Sequence, residues 1–320
     1  MDKLNGIMEK ELVSVLVPAF HSGNTIVKTL QSIYHQTYQN LELIVTDDGS
    51  ADESIELIQD WIEANRARFQ HAVLLTSEEN TGISKNVNRG AAACKGDWIK
   101  IIAADDLLLP DCIEEYMRLV RADEGQIKIY QSNEEVINEK GEITGCMENE
   151  RLRMKKLAAM ETVKEQYRYF LFNDIKVSPT LFFSRKVFHE VGGCDEEIRN
   201  IDDYPLKLRF LQKGYRMGHL DSVTVQYRIH NSISHSKKEV CPLNHVRQRR
   251  ILKKRCCYPY ISKTEISYWV SEYLERFQEN MIIFVFRNKP GLGVKCFMKA
   301  MSYLIPRQWE RRLVERKAGK

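Results

Sequence analysis

Three pairs of adjacent aspartates, Asp47-Asp48, Asp105-Asp106 and Asp202-Asp203, are the residues of this 320-residue chain best suited to chemistry. Asp105-Asp106 follows the apolar run Trp98-Ile99-Lys100-Ile101-Ile102 and precedes Leu107-Leu108-Leu109-Pro110. Two carboxylates on the surface at a strand end suit a hard divalent cation that keeps most of its waters and shares a diphosphate. The same pattern also makes ordinary turns and caps. Asp47-Asp48-Gly49-Ser50 ends another apolar run, and Ser50 with Glu53 three residues on forms a capping box. Capping then needs neither aspartate, and a carboxylate without local duty accepts hydrogen bonds from a base imide or a ribose hydroxyl. Asp202-Asp203 precedes Tyr204-Pro205 and the helical run Leu206, Leu208, Phe210, Leu211. With Pro205 at the first helical position, the cap falls on Tyr204 and both aspartates lie outside the helix. A carboxylate facing the helix amino end stays ionised, as a general base must. His230 closes Tyr227-Arg228-Ile229-His230, where Val223, Val225 and Tyr227 alternate; a lone His there is a structural residue or a ligand.

Something must bring these residues together. Leu12–Val17 reads as a buried strand closed by Pro18, and Ile26, Leu30, Ile33 and Tyr34 follow at helical spacing. Leu41–Thr46 is a second strand, followed by a helix carrying Ile55, Leu57, Ile58 and Trp61. Ala72–Leu75, a helix over Ser84–Ala93 and the strand Trp98–Ile102 complete the alternation. Strands alternating with helices predict an open, mostly parallel α/β sheet with flanking helices, whose ligand lies beyond the carboxyl ends of the strands. Later come a strand-like Ile127–Gln131, a turn near Asn138–Gly141, a charged helical stretch around Glu150–Phe172 and a short strand at Leu181–Phe183.

The composition, 43% hydrophobic and 29% charged, supports a full core. The eight cysteines contain no C-x-x-C, so a zinc ribbon and a dithiol redox site are not expected, and reduced thiols in a cytosol are. No apolar run approaches the roughly 20 residues that span a bilayer. No G-x-G-x-x-G follows the first strand and no P-loop is present, which argues against a dinucleotide site. The net charge of +4 divides into −9 over residues 1–236 and +13 over residues 237–320. The basic segment interleaves Lys295, Lys299 and Arg307 with apolar residues at helical spacing. It is expected either to lie in an anionic lipid surface or to pack on the acidic body; nucleic acid is not expected.

In order, these motifs resemble the family 2 glycosyltransferases, bacterial enzymes of the GT-A (Rossmann-like) fold. The resemblance runs over about residues 12–236, through Val13–Phe20, Thr46–Ser50, Asn80-Thr81-Gly82-Ile83-Ser84 with Asn88, Gly96–Ile99, Asp105-Asp106, Gly192-Gly193-Cys194-Asp195, Asp202-Asp203-Tyr204 and Tyr227–His230. It implies a GT-A domain over 1–236, a basic, mainly helical C-terminal extension over 237–320, and inverting transfer from a nucleotide sugar, a UDP-sugar, to a glycan or lipid-linked acceptor in surface polysaccharide synthesis. By the resemblance Pro18, Ala19, Phe20 and Asp48 hold base and ribose, Asp105 the ribose, and Asp106 with His230 a Mn2+ or Mg2+ ion. Asp203, or Asp202 beside it, is the base. The chain departs from the pattern at Ala103, where many members have a further Asp, and at Val87, where many have Arg; Lys85 then supplies the nearby charge or is a solvated helix residue. The implied location is cytoplasmic, peripheral on the inner face of the plasma membrane. A nucleotidyltransferase acting on sugar phosphates would need a Gly/Arg/Lys-rich loop after the first strand, which Pro18–Asn24 lacks. A non-catalytic nucleotide-sugar binding protein would have lost acidic pairs that are all present.

Overall fold

A computed structural model describes residues 11–173, 179–229 and 239–309, so His230 lies outside the described residues. The chain divides into two compact units, Met1–Gln166 with Lys176–Arg228, and Tyr167–Ile175 with Ile229–Lys320.

The first unit begins β1 (Val13–Ala19), α1 (Ile26–Tyr34), β2 (Leu41–Asp47), α2 (Ser54–Asn65), β3 (His71–Thr76), α3 (Ile83–Ala93) and β4 (Trp98–Ile101). It continues β5 (Leu107–Leu108), α4 (Cys112–Ala122), β6 (Ile129–Ile137), β7 (Ile143–Cys146) and α5 (Glu148–Ala158). After α6 (Val163–Asn173), whose residues from Tyr167 belong to the second unit, come β8 (Phe182–Ser184), α7 (Arg185–Glu190), α8 (Asp203–Gln212) and β9 (Met217–Arg228). One sheet runs β3-β2-β1-β4-β8-β6-β9-β5, with β7 beside β6. The first four strands are parallel, β8 is antiparallel to β4 and β6, and β9 is parallel to β6. Counted by paired residues, the sheet is mostly parallel.

Strands β1 and β2 are buried along their whole length, as parallel strands covered on both faces are. One face packs Val13, Val15 and Val17 with Ile26, Leu30 and Ile33 of α1 and with Ile113, Tyr116 and Met117 of α4. Where the parallel half meets β8, Phe182 stacks between Trp98 (5.2 Å) and Tyr116 (4.7 Å). Three boundaries differ from expectation. Strand β1 runs through Pro18, which pairs with Thr46. The stretch around Glu150–Phe172 is two helices, α5 and α6. Strand β6 extends six residues past Gln131, because its polar residues from Gln131 to Glu134 are buried.

The second unit contains α9 (Leu243–Leu252), α10 (Ile266–Asn280) and α11 (Leu292–Leu304). Among the described residues, no helix is long and apolar enough to cross a membrane. Several basic residues of this segment are turned into the unit. Lys253 Nζ lies 2.7 Å from Glu272 and 3.2 Å from Glu275, and Arg307, itself 5% exposed, lies 3.1 Å and 2.8 Å from the same carboxylates. Arg249 and Arg250 pair with Glu279. Burial works to raise the Glu272 carboxyl, but Lys253, Tyr258 and Arg307 overcome it and hold it at about 2. A carboxyl lowered on folding stabilises above its unfolded value of 4.5 and loses that contribution as pH falls toward 2. The melting temperature is therefore expected to fall on acidification through this window, and to fall less in Glu272→Gln. Equal slopes in differential scanning calorimetry would contradict the network.

Candidate active site

The turn after β2 is tied to the end of β1 and to the start of α3. Ser50 donates from its N–H and hydroxyl to the two Asp47 carboxylate oxygens (2.8 and 2.6 Å), and its Oγ accepts the His21 N–H (2.8 Å). Helix α2 starts only at Ser54, held by Asp52 through the Ser54 N–H (3.2 Å). The expected capping box is thus absent: Ser50 is engaged by Asp47, and Asp47 has the local duty assigned to Ser50. Asp48, 2% exposed, is also committed. Its Oδ2 accepts the Thr81 and Gly82 N–H groups (3.0 and 2.7 Å), and its Oδ1 accepts the Thr81 hydroxyl (2.6 Å) and Arg89 (3.1 Å). Four bonds fill the acceptor capacity of a carboxylate. The expectation that Asp48 offers free acceptors is therefore corrected; it fastens the 80–82 turn. Burial works to raise its carboxyl, and these donors hold it below the usual range. The turn requires glycine: Gly82 has φ +93°, and a Cβ there would lie 2.8 Å from the Arg199 carbonyl oxygen.

The motifs alone do not single out Arg89. Val87, at the position where the family carries Arg, is fully buried in the core, while Arg89 reaches the Asp47 carbonyl (3.0 Å) as well as Asp48. Its signal is an arginine two residues along the same helix. Lys85 is exposed. Of the β1 residues expected at the nucleotide, Pro18 and Ala19 are buried and the Phe20 ring is 40% exposed beyond the strand end, against His21. Arg89→Met is expected to lower stability by about 1.5–3 kcal/mol, the usual worth of hydrogen bonds to a charged group. It should also raise the donor KM several-fold while changing kcat less. Urea unfolding and donor titration check both; no change in either would remove Arg89 from the clamp.

Asp106 is 1% exposed rather than a surface group, because the chain after β4 folds under β9. Its Oδ1 accepts the Arg228 N–H (2.8 Å), and its carbonyl accepts the Thr29 hydroxyl (2.8 Å). The Arg228 guanidinium binds the Asp105 carbonyl (2.8 Å) and the Asn138 carbonyl (2.9 Å), locking the half-buried Asp105 in place. Burial and the Asp105 charge push the Asp106 carboxyl well above its ordinary value, against the Arg228 N–H and Lys100. Two crowded carboxylates, one disfavoured as an anion, form a site that a divalent cation relieves, and all-oxygen donors suit Mg2+ or Mn2+. The two carboxylates supply hard oxygen donors of the kind such an ion takes, but not a complete set. No group of three or more His, Cys, Asp or Glu side chains with metal-holding geometry occurs among the described residues, which exclude His230.

Helix α8 begins at Asp203, two residues before Pro205, with Asp202 in the cap position and no side-chain cap bond. Proline is tolerated anywhere in a first helical turn, where the missing N–H has no helical partner, so it does not mark the start. Asp203 Oδ1 accepts the Tyr204 N–H (2.7 Å). Burial and the Asp202 charge raise its carboxyl to about 7, with Lys207 one turn along opposing. Burial and the neighbouring charge thus work against the helix end, which favours the ionised form. Lys207 is 1% exposed, and burial lowers its ammonium against Asp203, Glu134 and Asp202. Glu134, on the half of β6 beyond Gln131, is a further buried carboxylate, one that no motif or apolar spacing marks.

The loop before α8 is held by the third motif. The Asn88 carboxamide exchanges two hydrogen bonds with Cys194 (2.8 and 3.0 Å), the Ser84 hydroxyl donates to the Ile198 carbonyl (2.6 Å), and Arg209 joins the Gly193 carbonyl (2.8 Å) and Asp195 (3.3 Å). Asp106, bonded to the Arg228 N–H next to Tyr227, and Asp203, about a hundred residues further on, both lie within electrostatic reach of that phenol. Burial raises Tyr227, and Asp106, Asp105, Asp203 and Glu134 add to the shift in that order.

Residues 14–192 match the family described as Glycosyl transferase family 2. Glycosyltransferase GlyG of Streptococcus pneumoniae serotype 4 is 31% identical over 209 residues, 62% of this chain and 65% of that protein. Chondroitin synthase of Escherichia coli is 25% identical over 71% of this chain and 30% of its own length. Hyaluronan synthase of Pasteurella multocida is 28% identical over 71% and 21%. The chain therefore spans just under two thirds of the first relative and under a third of each synthase. The crystal structure of S. aureus TarS 1–349 in complex with UDP-GlcNAc shares the fold at TM-score 0.60, with 16% identity over 92% of this chain and 81% of that one. The mostly parallel sheet with flanking helices is the GT-A architecture that the motifs implied. With 14–192 covering more than half its length, the chain belongs to glycosyl transferase family 2.

Proposed function

We propose that the chain is an inverting, divalent-metal-dependent glycosyltransferase, with residues 1–236 as its catalytic domain and 237–320 as a basic extension. It moves a sugar from a UDP-sugar to a hydroxyl of a glycan or lipid-linked acceptor in bacterial surface polysaccharide synthesis, at the cytoplasmic face of the membrane. The observation that carries this reading is the Asp105-Asp106 pair fastened to β9 beside Tyr227, with Asp203, at the start of α8, within electrostatic reach of the same phenol. An acid pair suited to a diphosphate-bound cation and a carboxyl poised near neutrality are the two groups that displacement at an anomeric carbon needs. Two neighbours of the fold support the donor and metal: TarS has been crystallised with UDP and with UDP-GlcNAc, and PcManGT from Pyrobaculum calidifontis with GDP-Man and Mn2+.

In this reading Pro18, Ala19 and the exposed Phe20 ring flank the base, with Lys85 nearby. Asp48 acts by fixing the 80–82 turn, and Asp105 takes the ribose. Asp106, with His230, holds the cation, which when bound neutralises charge on the departing diphosphate. Asp203 accepts the proton of the acceptor hydroxyl as that oxygen bonds to the anomeric carbon, on the face opposite the diphosphate. The bond from that carbon to the diphosphate oxygen breaks, and its electron pair leaves with the diphosphate. No protein nucleophile takes part, so one displacement inverts the configuration. Proton NMR of the product made from an α-linked donor tests the mechanism: a β-linked product is expected, and a retained α-linkage would overturn it.

A further inference from the structure

Helix α10 is inside out. Its polar face, with Ser271, Glu272, Gln278 and Glu279, is buried, while Ile266, Val270, Tyr273 and Phe277 are 71%, 43%, 71% and 43% exposed. Steps of four, three and four residues place these four in one stripe along the helix. Phe284, 77% exposed, follows seven residues after Phe277. The inversion has a cause in the ion pairs: Glu272, Glu275 and Glu279 reach Lys253, Arg307, Arg249 and Arg250 only if this face turns inward. An apolar stripe turned to water, with a further exposed ring just past its end, marks an interaction surface.

Charge selects the occupant. The described residues of this unit, 167–173 and 239–309, carry 14 Lys and Arg against 5 Asp and Glu, a difference of +9. Four of the five acids are paired with cations of the same unit, Glu265 with Arg168 and the other three as above. What remains outward is apolar and positive, with Lys263 and Trp269 beside the stripe and Arg247 and Lys254 near Phe284. A second copy docking stripe to stripe would bring like charge against like charge; an anionic lipid surface complements both features. At 15 residues α10 is too short to span a bilayer, and Trp269 and Tyr273 have the amphipathic rings suited to headgroup depth.

We propose that the outward stripe of α10, continued by Phe284, docks in the plane of an anionic phospholipid surface. This deepens the membrane-face part of the function above but rests on the second unit alone, so vesicle binding and donor turnover succeed or fail separately. The test is flotation of the full chain with vesicles of phosphatidylglycerol and phosphatidylcholine, or of phosphatidylcholine alone, beside the triple variant Ile266→Ser, Tyr273→Ser, Phe284→Ser. These side chains are largely exposed, so the variant should keep the wild-type melting temperature. The wild type is expected to float with the anionic vesicles only and to release at high salt. The variant should bind at least about tenfold more weakly, as lost apolar burial dictates. Absence of flotation at low salt, or equal flotation of the variant, would overturn the proposal. So would a wild-type dimer in light scattering that the variant abolishes without any flotation, which would assign the stripe to a second copy.

Discussion

Replacing Asp203 by Asn is expected to lower turnover by about a hundredfold to ten-thousandfold, the usual loss for a general base, with little change in donor affinity. The side chain keeps its shape and its acceptor for the Tyr204 N–H, so the loss reads out proton transfer rather than local unfolding. The same carboxyl sets a pH dependence. Raised to about 7, it is protonated below that pH and active above it, so wild-type kcat/KM should rise as pH increases through 7. Asp202 contributes to the elevation, so Asp202→Asn should retain turnover and move the rise to lower pH. The two carboxyls titrate as a pair, which makes the direction of that movement the diagnostic quantity. If Asp202→Asn loses turnover and Asp203→Asn keeps it, the base is the neighbouring residue.

Asp106→Asn is expected to abolish measurable transfer. The burial of this residue makes Asn the informative substitution: its carboxamide oxygen still accepts the Arg228 N–H, whereas Ala would leave that donor unpartnered under β9. Only the charge is removed, and because burial disfavours that charge the variant should melt no lower than the wild type. Retained transfer in a folded Asp106→Asn protein would remove the residue from the cation site. A collapsed melting temperature would instead assign Asp106 to the attachment of β9.

The alternation from β1 to β4 was legible because parallel strands covered on both faces appear as apolar runs, and α1 and α3 appear as helical spacing between them. The half of β6 beyond Gln131 carries no strand signal, because a polar run does not advertise burial, and Glu134 is hidden with it. Pro205 does not locate the start of α8, because proline fits several positions of a first turn. The positions of Asp48 and Asp106 were readable, but their bonding was not. Asp48 is saturated by Thr81, Gly82 and Arg89, more than thirty residues away in sequence, and Asp106 is held by a backbone N–H of β9. The inversion of α10 is hidden for the same reason. Its apolar spacing is plain, but which face turns inward is decided by cations on α9, just after it at Lys253, and beyond α11.

The most direct test of the account is nucleoside diphosphate release by the purified full chain from a panel of nucleotide sugars, each with an acceptor glycan, in the presence of Mn2+ or in excess chelator. Release from a UDP-sugar that depends on the metal, and is lost in both Asp106→Asn and Asp203→Asn, is the predicted result. Release that is equal in chelator, or unchanged in both variants, would contradict it.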